Sequence, residues 1–364
     1  MKTFNKDNYC VILAGGKGRR LWPASRENSP KQFLDFFSSG KTLLQQTFDR
    51  MAKVVADENI LVATNEAYVH IVKEQLPQLS ADNILAEPVC RNTAPSVAWA
   101  TYRILHRNTG ARIVVVPSDQ MIVNDEAFEK DVLAGLDWVG SNGSLLSIGV
   151  KPTRPEPGYG YIQVDGEATP ENIYKVKSFT EKPEREFARM FIKSGEFYWN
   201  TGLFMACATT MRDCLKAVFP PVMSIIDSPG AEYSMETELA HVAERYSVFP
   251  NLSIDYAVLE KSSGVHVMVA SFGWADLGMW HSMYETMSRG EGDNVVMGNK
   301  VVLDNCRGNI VKMPDDHVAV LNGLEDCIVA EKGNVLLVCK KGDSSALIRK
   351  YINEVQMDYG EEYL

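Results

Sequence analysis

Apolar residues in this chain fall in short runs that alternate with stretches of helical periodicity. Residues 9–14 (YCVILA) read as a short buried strand that runs straight into a glycine-rich loop. Residues 42–55 then set Leu43, Leu44, Phe48, Met51, Val54 and Val55 along one helical face. The pattern repeats: ILVAT (60–64) precedes a helical stretch at 66–76, and NILAE (83–87) precedes one at about 94–107. RIVVVP (112–117) precedes a helix at about 125–139, and SLLSIGV (144–150) follows. Strand and helix in alternation at this spacing predict an α/β fold with a mixed, mostly parallel sheet.

After residue 150 the texture changes. YGYIQV (159–164) and IYKVKSF (173–179) predict a more antiparallel insertion closed by a helix near 184–194. FYWNTGLFMA (197–206), SIDYAVLEK (253–261) and VHVMVASF (265–272) continue the same body. Past the RGEGDN segment at 289–294 come short β-like pieces at 301–304, 309–313, 318–323, 327–331 and 334–340, then a helical stretch at 344–356. Short strands at regular spacing predict a small sheet, barrel or β-solenoid. The expected domains are therefore 1–290 and 291–364.

Composition narrows the class. Of 364 residues, 45% are hydrophobic and 23% charged, as in a globular protein with ample length for a core. Thirty-seven basic against 47 acidic side chains give a net charge of −10, which argues against a sequence-independent nucleic-acid binder but leaves room for a local phosphate pocket. The polar start (MKTFNKDN) and the short apolar run after it do not make a signal peptide, and no run reaches the ~18 apolar residues of a membrane span. Seven scattered cysteines without a CxxC pair point to reduced thiols in a cytoplasm, and six scattered histidines give a structural zinc site no support.

Chemistry enters with residues 13–23, LAGGKGRRLWP, directly after the first strand. A phosphate-binding turn needs glycines, so that backbone N–H groups can approach anionic oxygens, and cations to neutralise charge. Gly15, Gly16 and Gly18 supply the first; Lys17, Arg19, Arg20 and then Lys31 supply the second. A tight strand-to-helix turn with solvated charges is the plainer alternative. Two nucleotide motifs are excluded: the dinucleotide fingerprint would need glycine where Leu21 stands, and Gly40-Lys41-Thr42 lacks the first P-loop glycine because Asp35 occupies its place.

Residues 13–33, LAGGKGRRLWPASRENSPKQF, resemble the signature of the sugar-1-phosphate nucleotidylyltransferases, and specifically of the mannose-1-phosphate guanylyltransferases. Seven further motifs match in order: EPVCRNTAP (87–95), VPSD (116–119), KPTRPEPGYGYI (151–162), FTEKP (179–183), WNTGLF (199–204), SIDYAVLEK (253–261) and GWADLGMW (273–280). The resemblance implies a Rossmann-like, GT-A-like nucleotidyltransferase domain, followed by a short left-handed β-helix often used in dimerisation, hence a homodimer. Longer bifunctional relatives carry an isomerase cupin after it, for which this chain stops too soon.

Joining a sugar phosphate to a nucleotide brings two highly anionic reactants together, so the chemistry demands charge neutralisation and in-line positioning. Mg²⁺ suits this, because one or two carboxylates plus phosphate oxygens complete its octahedron. Asp119 follows the RIVVVP strand, where open α/β sheets place ligands. By resemblance it shares the metal with Asp276. By itself either aspartate reads as an ordinary loop or cap residue. Many relatives have histidine where this chain has Gln120, to which we assign a positional role, since the attacking phosphate is already an anion.

The resemblance also distributes the remaining roles. Leu13, Ala14, Gly15, Gly16, Lys17, Gly18, Arg19, Glu87, Arg91, Asn92, Thr93 and Ser118 are implied to bind GTP, with Glu87 accepting from the N1–H and exocyclic amine of guanine. Tyr159, Gly160, Glu181, Lys182 and Asn200 are implied to bind the sugar phosphate, and Arg19, Lys31 and Lys182 to be catalytic. Asn92 or Thr93 equally suits a cap for the helix near 94–107; Trp199 and Phe204 are ordinary core types. The expected activity is GMP transfer from GTP to mannose 1-phosphate, giving GDP-mannose and pyrophosphate. A different sugar 1-phosphate, a catalytically silent GDP-sugar sensor and a glycosyltransferase of related fold are the alternatives.

Overall fold

A computed structural model describes residues 4–218, 220, 233–342 and 344–364. The chain divides into two compact units, one of residues 1–15, 47–118 and 122–274, the other of 16–46, 119–121 and 275–364. The second unit thus draws in the glycine-rich segment as well as the C-terminal residues, unlike a single cut near 290.

Among the described residues the first unit is built on a sheet of nine strands. In chain order they are β1 (Asn8–Leu13), β2 (Ile60–Asn65), β3 (Ile84–Glu87), β4 (Arg112–Pro117), β6 (Leu146–Val150), β7 (Gly160–Asp165), β8 (Ile173–Glu181), β9 (Phe197–Cys207) and β10 (His266–Val269). They assemble in the order β3-β2-β1-β4-β9-β6-β10-β8-β7. Strands β1 to β4 pair with one another in parallel, in keeping with the uninterrupted apolar runs of strands covered on both faces. Beyond them only β6 and β10 pair in parallel, and β9 runs against β4, β6 and β7. The sheet is mixed, and its later half is mainly antiparallel, because hairpin-connected strands need no crossover helix.

Helices α1 (Leu43–Met51), α2 (Val69–Gln75), α3 (Thr93–Arg107) and α4 (Asp125–Asn142) fall where the periodicity predicts them. Asn92 caps α3 by accepting from the Thr93 amide, and Asn124 caps α4 by accepting from Ala127 at 3.0 Å, satisfying amides that a helix start leaves open. Gly143, at φ 61°, ends α4 in the left-handed conformation. Helices α5 (Arg185–Ser194), α6 (Ala208–Val218) and α7 (Met235–Arg245) complete the described helices of this unit. A capping box of Ser234 and Thr237 starts α7. None of the described helices is long and apolar enough to cross a membrane.

The second unit has its own core around Leu21, Trp22, Phe36, Leu277, Trp280 and Ile328. The short strands β5 (Gln120–Ile122) and β11 (Trp274–Asp276) pair, and α8 (Trp280–Met287) follows. The predicted β-like pieces form β12 (Val295–Met297), β13 (Val301–Asp304), β14 (Ile310–Lys312), β15 (Ala319–Asn322), β16 (Cys327–Lys332) and β17 (Val335–Lys340), then α9 (Ser344–Tyr359). Strands β12, β14 and β16 stack in parallel, as do β13 and β15, and β17 closes the stack antiparallel.

In the first unit, α7 is fastened to α3 by charge. Glu238 is 4% exposed and accepts from Trp99 Nε1, from Arg103 Nε at 2.7 Å and from the Tyr233 hydroxyl at 2.6 Å. Removing one partner of a buried pair strands the other charge, at a cost of roughly 3–5 kcal/mol. Glu238→Ala is therefore expected to lower the unfolding free energy by about that amount in urea denaturation; a change below ~0.5 kcal/mol would show the pair to be dispensable.

Candidate functional site

The ends of the parallel strands release the residues with chemical potential. In the first unit the Ser118 amide donates to the Leu13 carbonyl at 3.1 Å, tying together the carboxyl ends of β1 and β4. The Ala14 amide extends the ladder by donating to Ala63 at 2.8 Å, and the Thr64 hydroxyl donates to the Ala14 carbonyl at 3.0 Å. Leu13, Ala14 and Ser118 are thus fixed by backbone contacts at one strand edge. Gly15 comes next, and a Cβ there would lie 3.1 Å from Glu87 Oε2, so the backbone turns close over that carboxylate.

Glu87 ends β3 and is 4% exposed. Oε1 accepts from the Tyr246 hydroxyl at 2.7 Å and from the Ser96 hydroxyl. Burial pushes the carboxyl up to about 7, against the pull of these two hydrogen bonds. Nearby, Asn92 and Thr93 do structural work: Asn92, at φ 65°, caps α3, and the Thr93 hydroxyl accepts from the Ile254 amide at 2.9 Å. Arg91 donates to the Ser247 carbonyl.

A second group in the same unit lies across three neighbouring strands. Register sets Gly160 of β7 opposite Glu181 of β8 on one side and Asn200 of β9 on the other. A Cβ at Gly160 would sit 2.7 Å from Glu181 Oε2, so only glycine leaves that row open. Lys182, at φ 47°, is ion-paired with Glu181. Tyr159 is 3% exposed with its ring edge-on to Trp199 and Trp274, which puts its side chain in the core and leaves its backbone beside the row.

Sequence reasoning missed Asp255. It opens a π-helical turn, Asp255–Leu259, and accepts from Asn200 Nδ2 at 2.7 Å. Burial raises its pKa; the Asn200 hydrogen bond opposes that rise and the Glu181 charge adds to it. An aspartate inside SIDYAVLEK, with no periodic signal of its own, could be found only through the neighbour that the fold supplies. Tyr246 and Ser96 escaped notice for the same reason.

In the second unit the pivot is Lys31. It is 7% exposed; its ammonium lies 2.7 Å from Asp119 Oδ2 and donates to the Leu277 carbonyl at 3.2 Å. One lysine thus joins the segment bearing Asp119 to the residue that follows Asp276. The Lys31 amide donates to Ser25 Oγ at 3.0 Å, and Gln32 Nε2 donates to the Gly16 carbonyl at 2.7 Å. Gly18, at φ 64°, leaves room for nothing larger, since a Cβ would fall 2.2 Å from Ser25 Oγ. A Cβ at Gly278 would crowd Asp276 Oδ2 at 2.8 Å.

Two cations of the loop share one counter-ion. Lys17 Nζ lies 2.8 Å from Glu27 Oε2, and Arg19 pairs with Oε1. Burial raises the Glu27 pKa, but these two hydrogen bonds outweigh it and hold the carboxyl below its ordinary range. A cavity of about 240 Å³ in this unit, lined by Ala24, Phe36, Lys312 and Lys332 among others, contains none of the expected site residues. Among the described residues no group of three or more His, Cys, Asp or Glu could hold a metal ion.

Glu87 carries a pH-dependent stability. Its folded pKa is raised, so the folded state holds a proton that the unfolded carboxyl has lost, and stability falls as pH climbs from about 4.5 through about 7. Glu87→Gln removes the buried charge but keeps an oxygen for Ser96 and Tyr246. The variant is expected to melt higher than the parent at pH 8, by a margin that shrinks towards pH 5; an equal margin at both would contradict the raised pKa.

A family model described as nucleotidyl transferase matches residues 9–291. The chain is 33% identical to the mannose-1-phosphate guanylyltransferase RfbM of Salmonella typhimurium, over 97% of this chain and 73% of that protein. It is 36% identical to the alginate biosynthesis protein AlgA of Pseudomonas aeruginosa, over 91% of this chain and 69% of that one. Among solved structures, one described as a mannose-1-phosphate geranyltransferase from Thermus thermophilus superposes with a TM-score of 0.86 at 31% identity, covering 96% of this chain and 99% of the other.

Proposed function

The chain belongs to the nucleotidyl transferase family and, within it, to the mannose-1-phosphate guanylyltransferases, and from that membership we propose that it transfers GMP from GTP to α-D-mannose 1-phosphate, giving GDP-mannose and pyrophosphate. The observation that carries the reading is the Lys31 ammonium, which holds Asp119 and the Leu277 carbonyl while its own amide anchors Ser25 beneath Gly18. A phosphate-type glycine loop and two aspartate-bearing segments are organised by one buried cation.

In the proposed reaction an oxygen of the sugar phosphate attacks the α-phosphorus of GTP in line. A P–O bond forms as the bond to the β-phosphate oxygen breaks, and pyrophosphate leaves with the electron pair. The amides of Gly15, Gly16 and Gly18 donate to the phosphate oxygens, and Lys17 and Arg19 exchange Glu27 for the triphosphate. Lys31 and Arg19 stabilise the charge that develops on the departing pyrophosphate. Lys182 orients the attacking phosphate. Glu181, Asn200 and the Tyr159–Gly160 backbone hold the sugar hydroxyls, and Glu87 accepts from guanine. Leu13, Ala14, Arg91, Asn92, Thr93 and Ser118 shape the nucleotide site.

The donor set fits Mg²⁺: Asp119 and Asp276 offer hard carboxylate oxygens, and Asp119 already faces a cation, the Lys31 ammonium at 2.7 Å. Asp119 and Asp276 would hold the ion, which when bound offsets the phosphate charge. Parallel register steps of 15 residues (Val295 to Ile310) and 18 residues (Ile310 to Ile328, Val301 to Ala319) support coils of a short left-handed β-helix. Membership in this family supports a cytoplasmic homodimer, for which light scattering is expected to give twice the 40.6 kDa chain mass.

The test is pyrophosphate release with Mg²⁺ over a grid of the common NTPs and several hexose 1-phosphates. Release confined to GTP with mannose 1-phosphate is expected; release with another hexose 1-phosphate would move the specificity, and none in any well, with folded protein, would overturn the reading. Lys31→Ala is expected to depress kcat about 10²- to 10³-fold, and near-parental kcat would remove Lys31 from the mechanism.

A further inference from the structure

The two oxygens of Glu87 have unlike surroundings. Oε1 takes both protein donors, the Tyr246 hydroxyl at 2.7 Å and the Ser96 hydroxyl, which fills its two lone-pair directions. Among the described residues no donor is bonded to Oε2, the oxygen over which the Gly15 backbone turns. A carboxylate reading both guanine donors with both oxygens is therefore not what the pocket offers; one oxygen is already spent.

The two donors are not equivalent. The Ser96 hydroxyl has one proton and three acceptors within reach, Glu87, the Asn92 carbonyl at 3.2 Å and the Tyr246 oxygen. Tyr246 gives its proton to Glu87. Its ring is fully buried, edge-on to Trp99 at 5.8 Å and tilted against Phe249 at 5.1 Å, so the hydroxyl has a fixed bearing. Burial and the adjacent Glu87 charge push the phenol far above its ordinary range, so it remains a donor at every working pH.

We propose that Tyr246 is the positioning residue of the guanine-reading carboxylate: by holding Oε1 it fixes the orientation of Glu87 and leaves Oε2 alone to accept from guanine. The inference rests on the reading of Glu87 given above. It assigns nucleotide choice to a residue 159 positions away in the chain. An ionised Glu87 accepts from guanine N1–H and repels the N1 lone pair of adenine, whereas a protonated one donates to that lone pair. Loss of the Tyr246 donor favours the protonated form, because a hydrogen bond to the charged form is gone. The titratable groups that bear on the pair are Glu87, Tyr246 itself and the Cys90 thiol.

The experiment measures kcat and KM for GTP and for ATP with mannose 1-phosphate, from pH 6 to 9, in the full chain and in Tyr246→Phe, Ser96→Ala and Glu87→Gln. For Tyr246→Phe a rise in the KM for GTP of about tenfold is expected, the size of one lost charge-assisted hydrogen bond. Expected with it are kcat and the KM for mannose 1-phosphate within about twofold of the parent. The pH below which the preference for GTP over ATP fades moves upward. Ser96→Ala, which spares the aromatic packing, moves it the same way by less. An unchanged midpoint in both variants, with the preference lost in Glu87→Gln, overturns the role of Tyr246 and leaves Glu87 as the base reader. A preference retained in Glu87→Gln overturns both.

Discussion

One backbone hydrogen bond, from the Ser118 amide to the Leu13 carbonyl, marks where the central sheet of the first unit stops and the glycine-rich and Asp119-bearing segments start. Parallel strands covered on both faces are held in register by the side chains packed against them on each face, because a close-packed interior does not accommodate a slip. Chain leaving such strands at their carboxyl ends therefore leaves at a fixed point and in a fixed direction. From Leu13 it enters the glycine loop; from Ser118 it enters Asp119. The Ala14–Ala63 bond and the Thr64 hydroxyl hold the first of these exits still.

Charges are then placed in pairs. Glu27 accompanies Lys17 and Arg19, Lys31 accompanies Asp119, and Glu181 accompanies Lys182. Clustered cations repel one another, and a nearby carboxylate relieves that repulsion. The exposed pairs, Lys17–Glu27 and Lys182–Glu181, are screened and cheap to open. The Lys31–Asp119 pair is more deeply set, and its lysine holds a backbone carbonyl as well, so it orders two segments of the second unit at once.

Much of this was legible beforehand. The α/β alternation, the parallel first strands, the glycine loop and the cap at Asn92 follow from local patterns of two, three or four residues. The helices at Ala208–Val218 and Met235–Arg245 lie outside the elements that the sequence pattern predicts, and the antiparallel share of the sheet depended on which strands β9 met. Motif resemblance named Gly160, Glu181 and Asn200 separately; register made them neighbours. The same resemblance passed over Asp255, although Asn200 holds it at 2.7 Å.

By itself the amino-acid sequence determined the order of the elements, the positions of Gly15, Gly16 and Gly18 after the first strand, and the family to which they belong. These depend on hydrophobic period and local turn chemistry, which neighbours along the chain settle. Only the tertiary structure decided which carboxylates are buried, what each is bonded to and which oxygen is left over. Tyr246 meets Glu87 across 159 residues and Lys31 meets Leu277 across 246. A buried charge takes its properties from whatever the folded chain brings against it, and no local pattern encodes that contact.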